Sequence, residues 1–408
     1  MKEVKIYTAL VAPLDWGLGH AARCVPVIRL LYSKGYEVII ATEGMQKQLL
    51  IQEFPTAKFV TLRGYGITYG TGKFATIIKL LTQIPKIFSA IKKEHQWLSK
   101  FVKEQPVDII ISDNRYGFYH KNIKSVIITH QLNIITNNSF TEWLARKVHY
   151  RLINKFHSCW VPDYPFPNNL AGRLSNPKNF PKIHLRYVGW LVRLNNIQSL
   201  QSINDQNKFQ VTSCQFNCIT GNQQPATLQP TKDYTLKSTA IQTSGNHFKY
   251  DACIILSGPE PQRTILEQKI LNQIKDCPYK VVLIRGLPTA ETTPKNSDKF
   301  IVYNHLPGKE LTEMVLQSKY VICRGGYTSL MEMISLQKKL ILVPTPAQTE
   351  QEYLAKILME KKWAVTIQQK DFDLSTAIEQ AEKFDYTIPE IEGVDRARLL
   401  EEALKQIG

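Results

Sequence analysis

Short apolar runs alternate with segments of helical period along most of this chain, and that alternation constrains its fold more than any other feature. Strands are expected at Lys5–Val11, Glu37–Ala41, Lys58–Leu62, Val107–Ser112, Ser125–Thr129, Ser158–Val161 and His184–Val188, with helical patterns between most of them. Strands joined through helices connect by crossovers, which implies a parallel sheet covered on both faces. The pattern restarts at Asp251. Strands are expected at Ala252–Leu256, Lys280–Ile284, Lys299–Val302, Tyr320–Cys323, Leu340–Val343 and Ala364–Ile367. Helices fit Pro261–Lys275, Gly308–Gln317, Thr328–Leu336, Glu350–Glu360, Asp373–Phe384 and Glu392–Gln406. The fold class is therefore α/β, with two doubly wound, Rossmann-like parallel-sheet domains facing across a cleft. Residues 1–190 make the first domain and 251–390 the second; 391–408 form a charged helix able to pack back on the first. Residues 191–250 form a polar linker or insertion, because Asn195–Lys249 is rich in Gln, Asn, Ser and Thr and lacks periodicity.

Glycines and ionisable groups gather where strands end. The first strand runs into Asp15-Trp16-Gly17-Leu18-Gly19-His20, and a helical pattern starts near Ala21. Helix N-termini at such junctions offer free N–H groups, and glycines let backbone approach a ligand. The plain alternative is a tight turn with a helix-capping histidine. Asp113 in "IIISDNRYG" again stands just past a strand end, where an Asx-turn cap is the plain alternative. His130 in "ITHQL" repeats the pattern, with polar groups at a strand end, or is a histidine satisfied within its loop. In "YVICRGGYTSLMEMISLQKKLILVPTPAQTEQEYLAKIL", Arg324-Gly325-Gly326 precede a helix opening at Tyr327-Thr328, with Glu332 in its second turn. Glycines and a helix N-terminus suit a diphosphate, and a carboxylate one to two turns in can bind vicinal hydroxyls. Glu332 on a solvated helix face is the alternative.

This stretch, "RGGYTSLME…VPTPAQTEQEYLA", resembles the donor-binding signature of GT-B glycosyltransferases in the family 28-like group, the group of the undecaprenyl-muropeptide GlcNAc transferase. "GLGHAAR" is similar to that group's first acceptor-domain loop, and "LSGPEPQRTILE" to its first donor-domain loop. The resemblance implies an inverting transfer of a hexose or N-acetylhexosamine from a nucleotide diphosphate sugar, a UDP-sugar first, to an acceptor hydroxyl that includes the lipid-linked class. It implies that Glu332 holds ribose hydroxyls and that Gly325, Gly326, Tyr327 and Thr328 meet the diphosphate. Arg263, after Ser257-Gly258, would position the nucleotide, Leu306 would lie against the base, and Glu350 and Gln351 would contact the sugar. Glu352 departs from the group, standing where the muropeptide enzyme has a second glutamine.

The chemistry needs a base for the acceptor hydroxyl and stabilisation of the leaving diphosphate. His20 is the first candidate base and Asp113 its rival or partner. Gly17, Gly19, Arg23, Arg115 and His130 complete the expected acceptor side. Helix N-termini with Arg324 or Arg263 would meet the diphosphate with no cofactor and no metal. Asp373 of Asp371-Phe372-Asp373 reads as a helix N-cap before "LSTAIEQA". A nucleotide-sugar 2-epimerase-like isomerase and a non-catalytic nucleotide-sugar-binding subunit are the competing classes.

A formal net charge of +16 calls for an anionic partner. No zinc-finger spacing, basic heptad region or RNP-type motif supports nucleic acid. Lys73–Glu104 mixes lysines with apolar residues at near-helical spacing, with Pro85 as a kink point. It either lies on an anionic membrane or packs its apolar face on the sheet. Seven scattered cysteines without metal spacing fit reduced thiols. The expected place is the cytoplasm, including the inner membrane face.

Overall fold

The structure, a computed structural model, describes residues 6–67, 82–135, 138–166, 168–194, 248–389 and 394–407. Strands β1 (Thr8–Pro13), β2 (Glu37–Ala41), β3 (Lys58–Val60), β4 (Ile109–Asp113), β5 (Lys124–Ile128), β6 (Ser158–Val161) and β7 (His184–Tyr187) form one sheet, ordered β3-β2-β1-β4-β5-β6-β7. Strands β8 (Tyr250–Ile255), β9 (Val281–Ile284), β10 (Phe300–Tyr303), β11 (Ser318–Cys323), β12 (Lys339–Leu342) and β13 (Ala364–Thr366) form a second, ordered β10-β9-β8-β11-β12-β13. Every pairing in both is parallel. The two doubly wound sheets expected from the alternation are present. Strand order reverses between β1 and β4 and between β8 and β11. At such points the flanking crossovers leave on opposite faces, opening a crevice beyond the strand C-termini.

The described helices are α1 (Leu18–Ser33), α2 (Gly44–Glu53), α3 (Ile84–Glu104), α4 (Ser139–Ile153), α5 (Gln262–Gln273), α6 (Gly308–Leu316), α7 (Tyr327–Ser335), α8 (Thr349–Glu360), α9 (Leu374–Lys383) and α10 (Val394–Lys405). Alternate residues of β1 serve opposite faces. Ala9 and Val11 pack with Ile28 and Leu31 of α1, while Leu10 and Ala12 pack with Leu98 of α3 and Phe118. Burial on both sides is why these strands are continuous apolar runs. Leu400, Ala403 and Leu404 of α10 join the α1 face of the first sheet, and Lys34 pairs with Glu401. Leu170, Ala171, Leu174, Trp190 and Leu194, from the loops after β6 and β7, join the core of the second sheet.

Three local expectations change. β1 runs on to Pro13 because Ala12 and Pro13 stay in register with Ser112 and Asp113 of β4. α1 begins at Leu18, three residues before Ala21, so Gly19 and His20 lie in its first turn. Pro85 occupies the first turn of α3, where a missing N–H leaves no intrahelical bond unmade, and it is no kink point. The start of the basic segment at Lys73 and most of Asn195–Lys249 lie outside the described residues.

Candidate active site

The loop after β1 and the end of β4 meet at the first strand reversal. Gly17 caps α1 with φ 90°, a conformation that favours glycine. One turn of α1 then presents His20 and Arg23 to Asp113, the last residue of β4. Arg23 grips Asp113 with two bonds, Nη2 to Oδ1 at 2.5 Å and Nε to Oδ2 at 3.0 Å. His20 Nδ1 lies 3.2 Å from Asp113 Oδ1 and 2.7 Å from Arg23 Nη2. Burial, reinforced by the Arg23 guanidinium, lowers the His20 pKa, so the imidazole is neutral near neutral pH. Burial alone would raise Asp113, but Arg23 and His20 outweigh it and keep the carboxylate charged.

The polar chain continues across the cleft. Arg23 Nη1 lies 3.5 Å from His130 Nδ1, and His130 Nε2 lies 2.8 Å from Glu350 Oε1. Gln131 Nε2 donates to the other oxygen of Glu350. The His130 ring stacks on Tyr327 with centroids 4.0 Å apart. Burial pushes Glu350 up, yet His130 and Arg23 hold its pKa below the ordinary value. His20 and Glu350, from opposite halves of the chain, thus belong to one network.

Gly326 caps α7 on the second sheet. Thr328 Oγ1 donates to Gly19 O (3.2 Å) and the Tyr327 hydroxyl to Pro162 O (2.7 Å). These two hydroxyls, expected on the diphosphate, tie the lobes together, leaving the backbone N–H groups of the α7 first turn as anion donors. A Cβ on Gly19 would lie 3.1 Å from Thr328 Oγ1, and one on Gly325 3.1 Å from Gln351 O. Gly258, after Ser257, has φ +99°, and its Cβ would lie 3.5 Å from Thr345 Oγ1, a buried hydroxyl with no partner among the described residues. Gln351 Oε1 accepts from Thr345 N (2.9 Å) and Glu352 Oε1 from Ala347 N (3.1 Å), so both shape the loop before α8. Leu306 packs partly buried just before α6. Glu332 is 6% exposed and not on a solvated face. Burial raises its pKa against the nearby Arg193.

Three arginines stand away from the roles expected of them. Arg115 is buried beneath the cleft, bonded to Glu94 Oε1 (2.7 Å), Pro13 O (3.0 Å) and Arg63 O (3.2 Å). Arg263 is held by Glu260 (2.5 Å) and Glu267 (2.6 Å). Arg324 donates to Val343 O (3.1 Å), Gln369 Oε1 (2.6 Å) and Gln262 O (2.7 Å). Their terminal nitrogens are bonded to these internal partners, and the three side chains brace the loops around them. Sequence reading missed Gln131, which merely follows His130, and Arg193, which sits in an irregular connection without a motif. Asp373 accepts from Thr376 N (2.9 Å) as the cap of α9. Among the described residues no group of three or more His, Cys, Asp or Glu could hold a metal ion.

Residues 260–397 match the glycosyltransferase family 28 C-terminal domain. The chain is 20% identical over 376 residues to a Staphylococcus aureus (strain MRSA252) protein, covering 90% of this chain and 88% of the relative. That relative is the UDP-N-acetylglucosamine–N-acetylmuramyl-(pentapeptide) pyrophosphoryl-undecaprenol N-acetylglucosamine transferase. An uncharacterized glycosyltransferase of Methanosarcina mazei is 20% identical over 368 residues, 85% of this chain and 81% of its own. Among solved structures, Arabidopsis thaliana UGT89C1 complexed with UDP-L-rhamnose superposes with a TM-score of 0.59 at 12% identity, over 99% of both chains. The glycotransferase of kitacinnamycin gives 0.55 at 12% identity, over 99% of this chain and 95% of that one. Domain match, relatives and fold agree on a glycosyltransferase of two-domain GT-B architecture whose second domain is similar to the family 28 C-terminal domain.

Proposed function

We propose that the chain moves a hexose or N-acetylhexosamine from a UDP-sugar to an acceptor hydroxyl in one inverting displacement. The observation that carries this reading is the polar chain from His20 to Glu350, which sets a neutral imidazole and a second-lobe carboxylate around one cleft. In the reactive tautomer His20 donates an Nδ1–H hydrogen bond to the Asp113 carboxylate and takes the acceptor proton on Nε2 as the anomeric C–O bond to the diphosphate breaks. Asp113 and Arg23 hold the ring. The first turn of α7 receives the growing diphosphate charge without a metal ion, Glu332 holds the ribose and Glu350 with Gln351 the sugar. The UDP-L-rhamnose complex of UGT89C1 supports a UDP-sugar donor, and the name of the S. aureus relative supports a lipid-linked acceptor.

The charge distribution supports an anionic membrane surface on the acceptor side, at the inner face. Residues 1–190 carry 26 Lys and Arg against 11 Asp and Glu, a net of +15 of the chain's +16. α3 exposes Ile84 and Phe88, and α4 exposes Phe140, Trp143 and Leu144. No helix among the described residues is long and apolar enough to cross a membrane.

The test is product analysis with UDP-sugars and EDTA present. Free UDP with a β-linked product from an α-linked donor supports the proposal; an isomerised donor, or no UDP release with any acceptor class, overturns it. Co-sedimentation with phosphatidylglycerol vesicles and not with phosphatidylcholine vesicles tests the membrane surface.

A further inference from the structure

Two side chains beside His20 and Asp113 take no part in the polar chain that crosses the cleft. β1 and β4 end together, with Pro13 opposite Asp113 and Leu14 N donating to Asp113 O at 3.0 Å. Trp16 follows on one strand end and Asn114 on the other, so the two flank the candidate base. Trp16 is 41% exposed, and its indole has no hydrogen bond or ring partner among the described residues. The residues around it are pinned. The Asp15 carboxylate accepts from Tyr65 N (2.9 Å) and Gly66 N (3.1 Å), while Gln46 of α2 donates to Asp15 O (3.0 Å) and Gly17 O (3.3 Å). A bonded loop thus holds an apolar ring in water, where covering it with another apolar surface is favourable.

Asn114 is 8% exposed and has φ 61°, a left-handed conformation that asparagine tolerates better than most side chains. Its surroundings fix what its carboxamide can do. The carbonyl of Gln131 can only accept, so His149 Nε2, 2.7 Å away, carries the proton. Burial keeps His149 neutral, which leaves its Nδ1 bare to take the Tyr116 hydroxyl proton at 3.2 Å. Tyr116 then has no proton for Asn114 Oδ1, 3.5 Å away, and the carboxamide makes no other hydrogen bond among the described residues. A nearly buried amide with unused hydrogen-bonding capacity, one residue from Asp113, calls for a polar partner. A hydroxyl answers it, because a hydroxyl both donates and accepts.

A pyranose ring meets both demands, since its C–H face covers an indole and its rim carries hydroxyls beside the one that reacts. A phenol supplies the face without the second hydroxyl, and an alkanol supplies neither. We infer that Trp16 and Asn114 form an acceptor subsite for a pyranose ring, Trp16 lying against its apolar face and Asn114 reading a second hydroxyl. The inference rests on the UDP-sugar reading and names the acceptor class for the same cleft.

The test measures UDP release by the full chain from UDP-sugars, with octyl glucoside, octyl galactoside, octyl N-acetylglucosaminide, 4-nitrophenol and 1-octanol as acceptors, beside calorimetric titration of UDP. Wild type should use at least one octyl pyranoside and prefer it to the phenol and the alkanol. Asn114→Gly keeps the backbone conformation and removes the amide, and Trp16→Ala removes the ring. Each should raise KM for that pyranoside about 10-fold or more, with a smaller change in kcat and UDP affinity within about twofold of wild type. An unchanged KM in either variant, or a parallel loss of UDP affinity, overturns the subsite. Equal use of 4-nitrophenol or 1-octanol by wild type, or use of no octyl pyranoside by a chain that binds UDP, also overturns it whether or not the variants fold, and leaves UDP binding intact. A wild-type chain that does not bind UDP overturns the donor reading and the subsite with it.

Discussion

Replacing Glu94 with alanine tests the reassignment of Arg115 from ligand contact to brace. Glu94 and Arg115 side chains are 2% and 1% exposed, and the pair is closed by one 2.7 Å bond. The second Glu94 oxygen accepts from the Tyr65 hydroxyl at 2.8 Å and from Gly117 N at 2.9 Å. The substitution leaves a guanidinium buried without its counter-charge. Removing one partner of a buried pair costs about 3–5 kcal/mol. The stranded tyrosine hydroxyl and glycine N–H push the total toward the upper half of that range. Taking about 4 kcal/mol, and roughly 2–4 °C per kcal/mol for a lobe of this size, Tm should fall by roughly 8–16 °C. The assay is thermal and urea unfolding of the full chain by circular dichroism, with UDP binding measured well below the transition. Binding should survive. The double variant Glu94→Leu/Arg115→Met removes both charges and should be clearly more stable than Glu94→Ala, since a paired deletion strands no ion. A loss under about 1 kcal/mol, or a stable Glu94→Ala protein that no longer transfers sugar, would return Arg115 to the acceptor chemistry.

Other expectations concern protonation and close packing. His149 is buried between Gln131 O (2.7 Å) and the Tyr116 hydroxyl (3.2 Å), and burial lowers its pKa to about 4. The native state holds it neutral while the unfolded chain titrates near 6.5, so stability present above pH 6.5 should drop by about 3 kcal/mol as pH falls toward 4. His149→Gln should flatten that part of a stability–pH curve; an unchanged slope would rule the histidine out. Arg23→Gln removes a cation that lowers His20, so the acid limb of kcat/KM, expected below 6.5, should move upward; a fixed limb would exclude His20 as the base. Gly19→Ala sets a Cβ against Thr328 and should lower kcat/KM more than it lowers Tm, as read by paired kinetics and calorimetry. Asp373→Ala should cost about 1 kcal/mol in urea unfolding and leave activity insensitive to EDTA, as removal of a helix cap does.

The central strands were legible because parallel strands buried on both faces leave continuous apolar runs, while the edge strands β3 and β7 are shorter and partly exposed and were placed by the alternation around them. The loop motifs were legible for a related reason: glycine and ionisable residues stand out where such runs stop, and the strand reversals lie there. What escaped was the destination of long side chains. Arg115 and Arg324 sit among ligand-like residues in sequence, yet the partners that occupy them, Glu94 and Gln369 among others, come from elsewhere in the chain, while Arg263 is taken up by Glu260 and Glu267 one turn to either side. Arg193 shows the reverse, a plain residue in an irregular segment brought against Glu332 only by the packing of two sheets. The helix start at Leu18 was hidden because Gly19 lowers helix propensity while the contact with α7 accommodates it.

The placement of α10 bears on how the protein must be made. Leu400, Ala403 and Leu404 fill part of the hydrophobic interior whose strands end at Tyr187. During synthesis the first sheet therefore emerges long before the helix that completes one of its faces, and the whole second sheet must follow in between. The nascent first lobe passes through an interval with that face open to solvent, when exposed apolar surface favours chaperone capture or aggregation. The same connection makes the lobes poor candidates for separate expression. A fragment carrying only the first sheet should be recovered in soluble form chiefly when a peptide containing α10 is supplied alongside it.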